Sequence, residues 1–180
     1  MKNLGIAFLG AMLLLQSCGG GSESEESAET LKLDKNDVKG TIDLPGNTKT
    51  IPGSLTTNDG SFKYLVIEME DENELNIFPG GKNYQDEVSK LEQVGTDGKY
   101  EKVEIIEKTE NYIFYKHSVH PFGKDTPMEE LEDGYGFLLK ISGDGKEYVI
   151  TCNGPKIGEP VWQKDAAEKL LKIAQTFKPE

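Results

Sequence analysis

The chain holds one sustained apolar run, Leu4 to Leu15 (LGIAFLGAMLLL), twelve residues long behind the short positive start Met1-Lys2-Asn3. That is short of the roughly 20 residues a membrane-spanning helix needs. The run stops abruptly at Gln16-Ser17-Cys18, and Gly19-Gly20-Gly21 follow. A packed helix would not end in three glycines and an acidic tract, so residues 1–17 read as a signal peptide and are set aside from fold reasoning. No later segment is continuously apolar, which excludes a chain of several membrane-spanning helices. The core must come from apolar residues interleaved with polar ones.

Leu15-Gln16-Ser17-Cys18 resembles the lipobox of bacterial lipoproteins: an aliphatic residue three before the cysteine and a small residue directly before it. Gln16 departs from the pattern by being bulkier and more polar than the usual residue there. The resemblance covers residues 1–18. It implies diacylglycerol on the Cys18 sulfur, cleavage before Cys18 and a further acyl chain on the new amine. Several buried chains at one residue give stable anchoring, which a single chain does not. Gly19 in place of Asp after the cysteine resembles outer-membrane sorting, and the acids further on loosely resemble a surface-export signal. The expected location is the outer membrane, lipid-anchored, on its periplasmic or cell-surface face. The lipid bilayer is then the first partner, held through acylated Cys18.

Charge fits that expectation. The sequence carries 20 Lys, no Arg and 32 acids, for a net charge of -12. Loss of residues 1–17 takes Lys2 with it, leaving 19 Lys against 32 acids, or -13. Such a body is repelled by anionic lipid, so acyl chains must hold it at a membrane. Nucleic acid is not an expected partner, because an acidic chain has no counterion release to gain on phosphate. With Cys18 spent on lipid, Cys152 is the one other cysteine and no intrachain disulfide is available.

Residues 18–36, the lipidated cysteine and a Gly-, Ser- and Glu-rich stretch, read as a flexible acidic linker. Residues 37–180 read as one domain, large enough to hold a core without staples. Strands are expected at 40–44, 62–70 and 74–78. Hairpins are expected at 101–107 with 111–119 and at 136–142 with 146–152. Helices are expected at 84–94, capped by Asn83 and followed by Gly95, and at 161–177, with Pro160 in the first turn and Pro179 beyond the end. The fold class is therefore α+β, an antiparallel sheet packed by helices. The element order, Gly40-Thr41-Ile42-Asp43-Leu44-Pro45-Gly46 and the terminal helix resemble the PsbP/Mog1-type α-β-α sandwich. That family serves as binding or assembly modules in very different systems, so the resemblance does not settle function.

Candidate chemistry gathers around residues 117–135. His117 and His120 are the two histidines; Asp125, Glu129 and Glu130 follow, and a turn at Pro121 would be needed for the imidazoles to converge. The stretch reads as a long loop between hairpins, with Thr126-Pro127-Met128-Glu129 as a capping box. It is a possible recognition loop presenting His117, His120, Phe122 and Met128. Cys152, sharing a strand face with Tyr148 and Ile150, reads as a small core residue rather than as the thiol of a dyad with His117. The four Asp-Gly pairs at 59–60, 97–98, 133–134 and 144–145 read as tight turns. Glu68, Glu70, Glu72 and Glu74 read as solvated charges on a sheet edge. There is no GxSxG, Walker loop, GxGxxG or HExxH. The expectation is a membrane-anchored binding or assembly module for an unknown protein or small ligand, without cofactor or metal. The alternative is a small hydrolase or metal-dependent enzyme using the 117–135 region.

Overall fold

The computed structural model describes residues 28–46, 48–57, 60–69, 71–80, 82–95, 101–119, 132–143, 145–154 and 160–180. In chain order these form β1 (Glu29–Lys35), β2 (Val38–Leu44), β3 (Lys49–Thr57), β4 (Gly60–Glu68) and β5 (Glu74–Pro79), then α1 (Tyr84–Val94). They continue as β6 (Glu101–Lys108), β7 (Tyr112–Val119), β8 (Glu132–Gly143), β9 (Lys146–Asn153), α2 (Lys164–Ala174) and β10 (Lys178–Pro179). Seven strands make one sheet in the order β3-β4-β5-β9-β8-β7-β6, and β1-β2-β10 make a second. Every strand pairing is antiparallel. The class is α+β, as the alternating patterns imply.

The large sheet is apolar on both faces because its central strands alternate two apolar sets. Leu75 and Ile77 of β5, Phe137 and Leu139 of β8, and Tyr148 and Ile150 of β9 face α2. Ala167, Leu170, Leu171 and Ala174 of the helix, then Phe177, close over them. Val38, Ile42 and Leu44 of the small sheet complete this core. The opposite face carries Phe78, Ile113, Leu138 and Val149, packed against Tyr84, Val88 and Leu91 of α1. Asn83 caps α1 as its sequence implies, accepting from the Gln85 and Asp86 N–H groups, and Gly95 follows the last turn with φ 60°.

Several elements differ from the sequence reading. Residues 29–35, assigned above to the linker, are a strand paired along its length with β2. Asn36 and Asp37 both take left-handed φ (52° and 65°), which makes the two-residue hairpin loop joining them. The Asn36 amide donates to the Gly53 and Tyr64 carbonyls (2.9 and 2.8 Å), fixing that loop to the β3–β4 hairpin. Strand β3, which carries Pro52 and Gly53, has no counterpart among the expected strands. It is an edge strand, where proline is tolerated. Helix α2 is shorter than 161–177. Val161 pairs with Tyr135 across a β-bridge, so Pro160 lies outside the helix, and Pro179 belongs to β10. Asp133-Gly134 lies inside β8 rather than at a turn. Glu68 and Glu74 face each other on the interior strands β4 and β5, not on a sheet edge.

Candidate functional site

The residues singled out from sequence separate into two groups. Cys18, His120, Phe122, Met128, Asp125, Glu129 and Glu130 lie outside the described residues. His117 is half-buried on β7, its Nε2 2.5 Å from Glu101 Oε1 of β6. The imidazole is therefore engaged by a carboxylate from the neighbouring strand. Among the described residues no group of three or more His, Cys, Asp and Glu side chains is placed to hold a metal ion. Cys152 sits in the α2-side core, and burial pushes its thiol up to about 12, against the opposing pull of backbone hydrogen bonds. His117 alternates with Ile113 and Tyr115 on the α1 side, so the sheet itself stands between the two members of the imagined dyad.

The feature best suited to hold a ligand was not named from sequence: a cleft of about 290 Å³ between α1 and the sheet. Glu87, Lys90, Leu91 and Val94 form its helical wall, spaced by three and four residues along one side of α1. Tyr115, Leu138, Thr151 and Asn153 form the sheet wall. Gly136 of β8 makes room for the Tyr115 ring at this wall. Tyr115 is paired with Gly136, and a Cβ there would sit 2.7 Å from the ring and hydroxyl of Tyr115. Burial raises the Tyr115 phenol above its ordinary range, so it keeps its proton and remains a donor.

One rim is charged. Glu87 is bridged by Lys82 at 3.0 Å and Lys90 at 2.6 Å, and Lys82 also lies 4.7 Å from the centre of the Phe78 ring. Burial pushes the Glu87 carboxyl up, but the two ammonium groups outweigh it and hold the carboxyl below its usual value. With Glu101 the cleft is thus lined by two lysines and two glutamates.

The Thr151 hydroxyl, the Asn153 amide and the Tyr115 hydroxyl make no hydrogen bond to another described residue. Behind Thr151 and in register with it, Asn76 is 3% exposed with its amide nitrogen unpartnered. A buried donor left without a partner costs about 1–3 kcal/mol, so such a group calls for an explanation. The available signal in the sequence was polar residues at Asn76, Thr151 and Asn153, inside strands whose other positions are apolar, with Gly134 and Gly136 alternating on β8.

A second groove, of about 240 Å³, runs beside α2 between Pro45-Gly46, Met69, Asp71 and the Ala166, Leu170 and Ile173 side of the helix. Its lining is about as polar as apolar, with Asp71 and Lys169 as its charged groups. No protein-family model, no curated protein and no solved structure matches the chain.

Proposed function

We propose that the protein is a lipid-anchored component of the bacterial outer membrane whose domain is a non-catalytic binding module. The observation that carries the anchor is Leu15-Gln16-Ser17-Cys18 behind twelve apolar residues. The position of β1 supports it: only residues 19–28 separate Cys18 from the first strand, a span of at most about 40 Å. That is about one domain diameter, so the body would stay at the surface to which its lipid is bound. The binding reading is supported by the α1 cleft, where Tyr115, Thr151 and Asn153 stand opposite a charged helical rim. The finer fold assignment, an α-β-α sandwich of the PsbP/Mog1 type, is supported by α1 and α2 packing on opposite faces of the large sheet.

The anchor is tested by metabolic labelling with an alkyne fatty acid and intact mass of the membrane-extracted protein. The expected result is label on the wild type, a chain beginning at Cys18, and loss of both in Cys18→Ala. An unmodified Cys18 sulfur, or residues 1–17 still attached, overturns the anchor.

A further inference from the structure

We infer that Asn153 is a modification site: the Gly154 nitrogen attacks its side-chain amide, and the chain deamidates there to aspartate and isoaspartate. The inference goes beyond the binding reading and holds whether or not the chain is anchored. Asn153-Gly154 is the one Asn-Gly pair among nine asparagines. The other eight precede Leu, Asp, Thr, Glu, Ile or Tyr, whose side chains crowd the attacking nitrogen. Glycine has no Cβ, so its nitrogen is approached freely and its backbone turns readily.

The fold leaves this pair free to react. Asn153 is the last residue of β9, half-buried on the cleft wall, and its amide bonds to no other described residue. The Gly154 N–H likewise donates to no other described residue. On the β8 side the ladder has ended at Thr151, so β5 alone pairs with Asn153. Other asparagines are held. The Asn36 amide donates to two carbonyls, the Asn73 amide to Asp71 Oδ2 at 2.8 Å, and the Asn83 oxygen accepts from two N–H groups. Asn76 is shut away beneath its neighbours.

In the reaction a bond forms between the Gly154 nitrogen and Asn153 Cγ while the Cγ–Nδ2 bond breaks. The amide leaves as ammonia, taking the proton that Gly154 gives up. Solvent water then opens the cyclic imide at either carbonyl. Either product adds a carboxylate to a cleft lined by two lysines and two glutamates. That carboxylate stands opposite Glu74, which already faces Glu68, so three line up across β4, β5 and β9. Like charges opposed across strands are destabilising.

The test is ageing of the full chain in a mild detergent at mildly alkaline pH, followed by peptide mass mapping. Asn153 is expected to convert before any other asparagine, in the folded chain as well as in urea, with isoaspartate and aspartate both present at that position. Gly154→Ala adds a Cβ beside the nitrogen and is expected to keep the amide over the interval in which half of the wild type converts. Asn153→Gln, which would have to close a larger ring, covers the case in which the buried Gly154 tolerates no methyl. It is expected to lose the acidic species that isoelectric focusing of the aged wild type shows. Fresh Asn153→Asp is expected to melt about 1–4 °C below the wild type. Conversion in urea but not in the folded chain, earlier conversion of another asparagine, or persistence of the acidic species in Asn153→Gln overturns the site. An unchanged melting temperature in Asn153→Asp overturns the opposition to Glu74.

Discussion

The two faces of the seven-stranded sheet use the same strands and differ in what covers them. On the α2 side, residues from the helix, the small sheet and Phe177 cover the central strands, and Phe137, Ile77 and Ile150 are wholly buried. On the α1 side, a helix of equal length, eleven residues, covers one band with Tyr84 and Val88 and leaves a cleft beside Tyr115 open. Burying apolar area stabilises by about 25 cal/mol per Å² wherever it occurs. The closed face therefore contributes most of the stability, and the half-covered one can carry polar groups that do nothing for folding.

The contrast can be broken or sharpened in order of effect. Phe137→Ala opens a cavity in the closed face and should cost about 3–5 kcal/mol in urea denaturation. A loss below 1 kcal/mol would show that this face is not tightly packed. Gly136→Ala overfills the open face, since the new methyl meets the Tyr115 ring at 2.7 Å. It should cost about 1–3 kcal/mol, and adding Tyr115→Ala should recover part of that, a coupling read from the double-mutant cycle.

The buried thiol gives a pH signature. The Cys152 proton leaves at about 12 in the folded protein and near 8.5 in the unfolded chain. The unfolded state sheds protons first, so stability contributed by the neutral thiol is intact below about pH 8.5 and falls as pH rises towards 12. From about pH 9 to 10 the wild type should lose about 1 kcal/mol more than Cys152→Ala. Parallel losses in the two proteins would show the thiol to be solvent-accessible when folded.

Asn83→Ala removes the acceptor for two N–H groups at the start of α1 and should cost about 1 kcal/mol of thermal stability. Thr151→Val should change stability by no more than about 0.5 kcal/mol, because its hydroxyl bonds to no other described residue. A large loss there would mean the open face is structural after all.

How much of this was readable in the residues follows from what each pattern competes with. Helix α1 was legible to its boundaries because Asn83 and Gly95 bracket an apolar spacing of three and four. The hairpins β6–β7 and β8–β9 were legible because β7, β8 and β9 alternate, with Ile113 and Leu138 on one face of the sheet and Phe114 and Phe137 on the other. Strand β1 was hidden by its neighbours: Leu31 and Leu33 alternate, but Lys, Asp and Glu around them match the acidic stretch before. The Asn36-Asp37 pair was the available hairpin signal. Trp162 and Phe177 fall on the apolar period of α2 yet lie outside it, because periodicity reports burial and burial does not require a helix. The cleft was illegible for a related reason. It depends on which residues three strands bring opposite Gly136, and register across strands is not written locally.

The small sheet also has a consequence for the order of assembly. Its middle strand is flanked by β1 on one side and by β10, the final two-residue strand, on the other; Gly40 permits the close approach, its missing Cβ leaving room for the Lys178 carbonyl. The helix that seals the larger core follows every strand of the sheet it covers. A ribosome releases the N-terminal part first, so the sealing pieces emerge last. Until α2 and β10 have been made, the strands they cover lack that cover, so this core can close only after its last two elements join it.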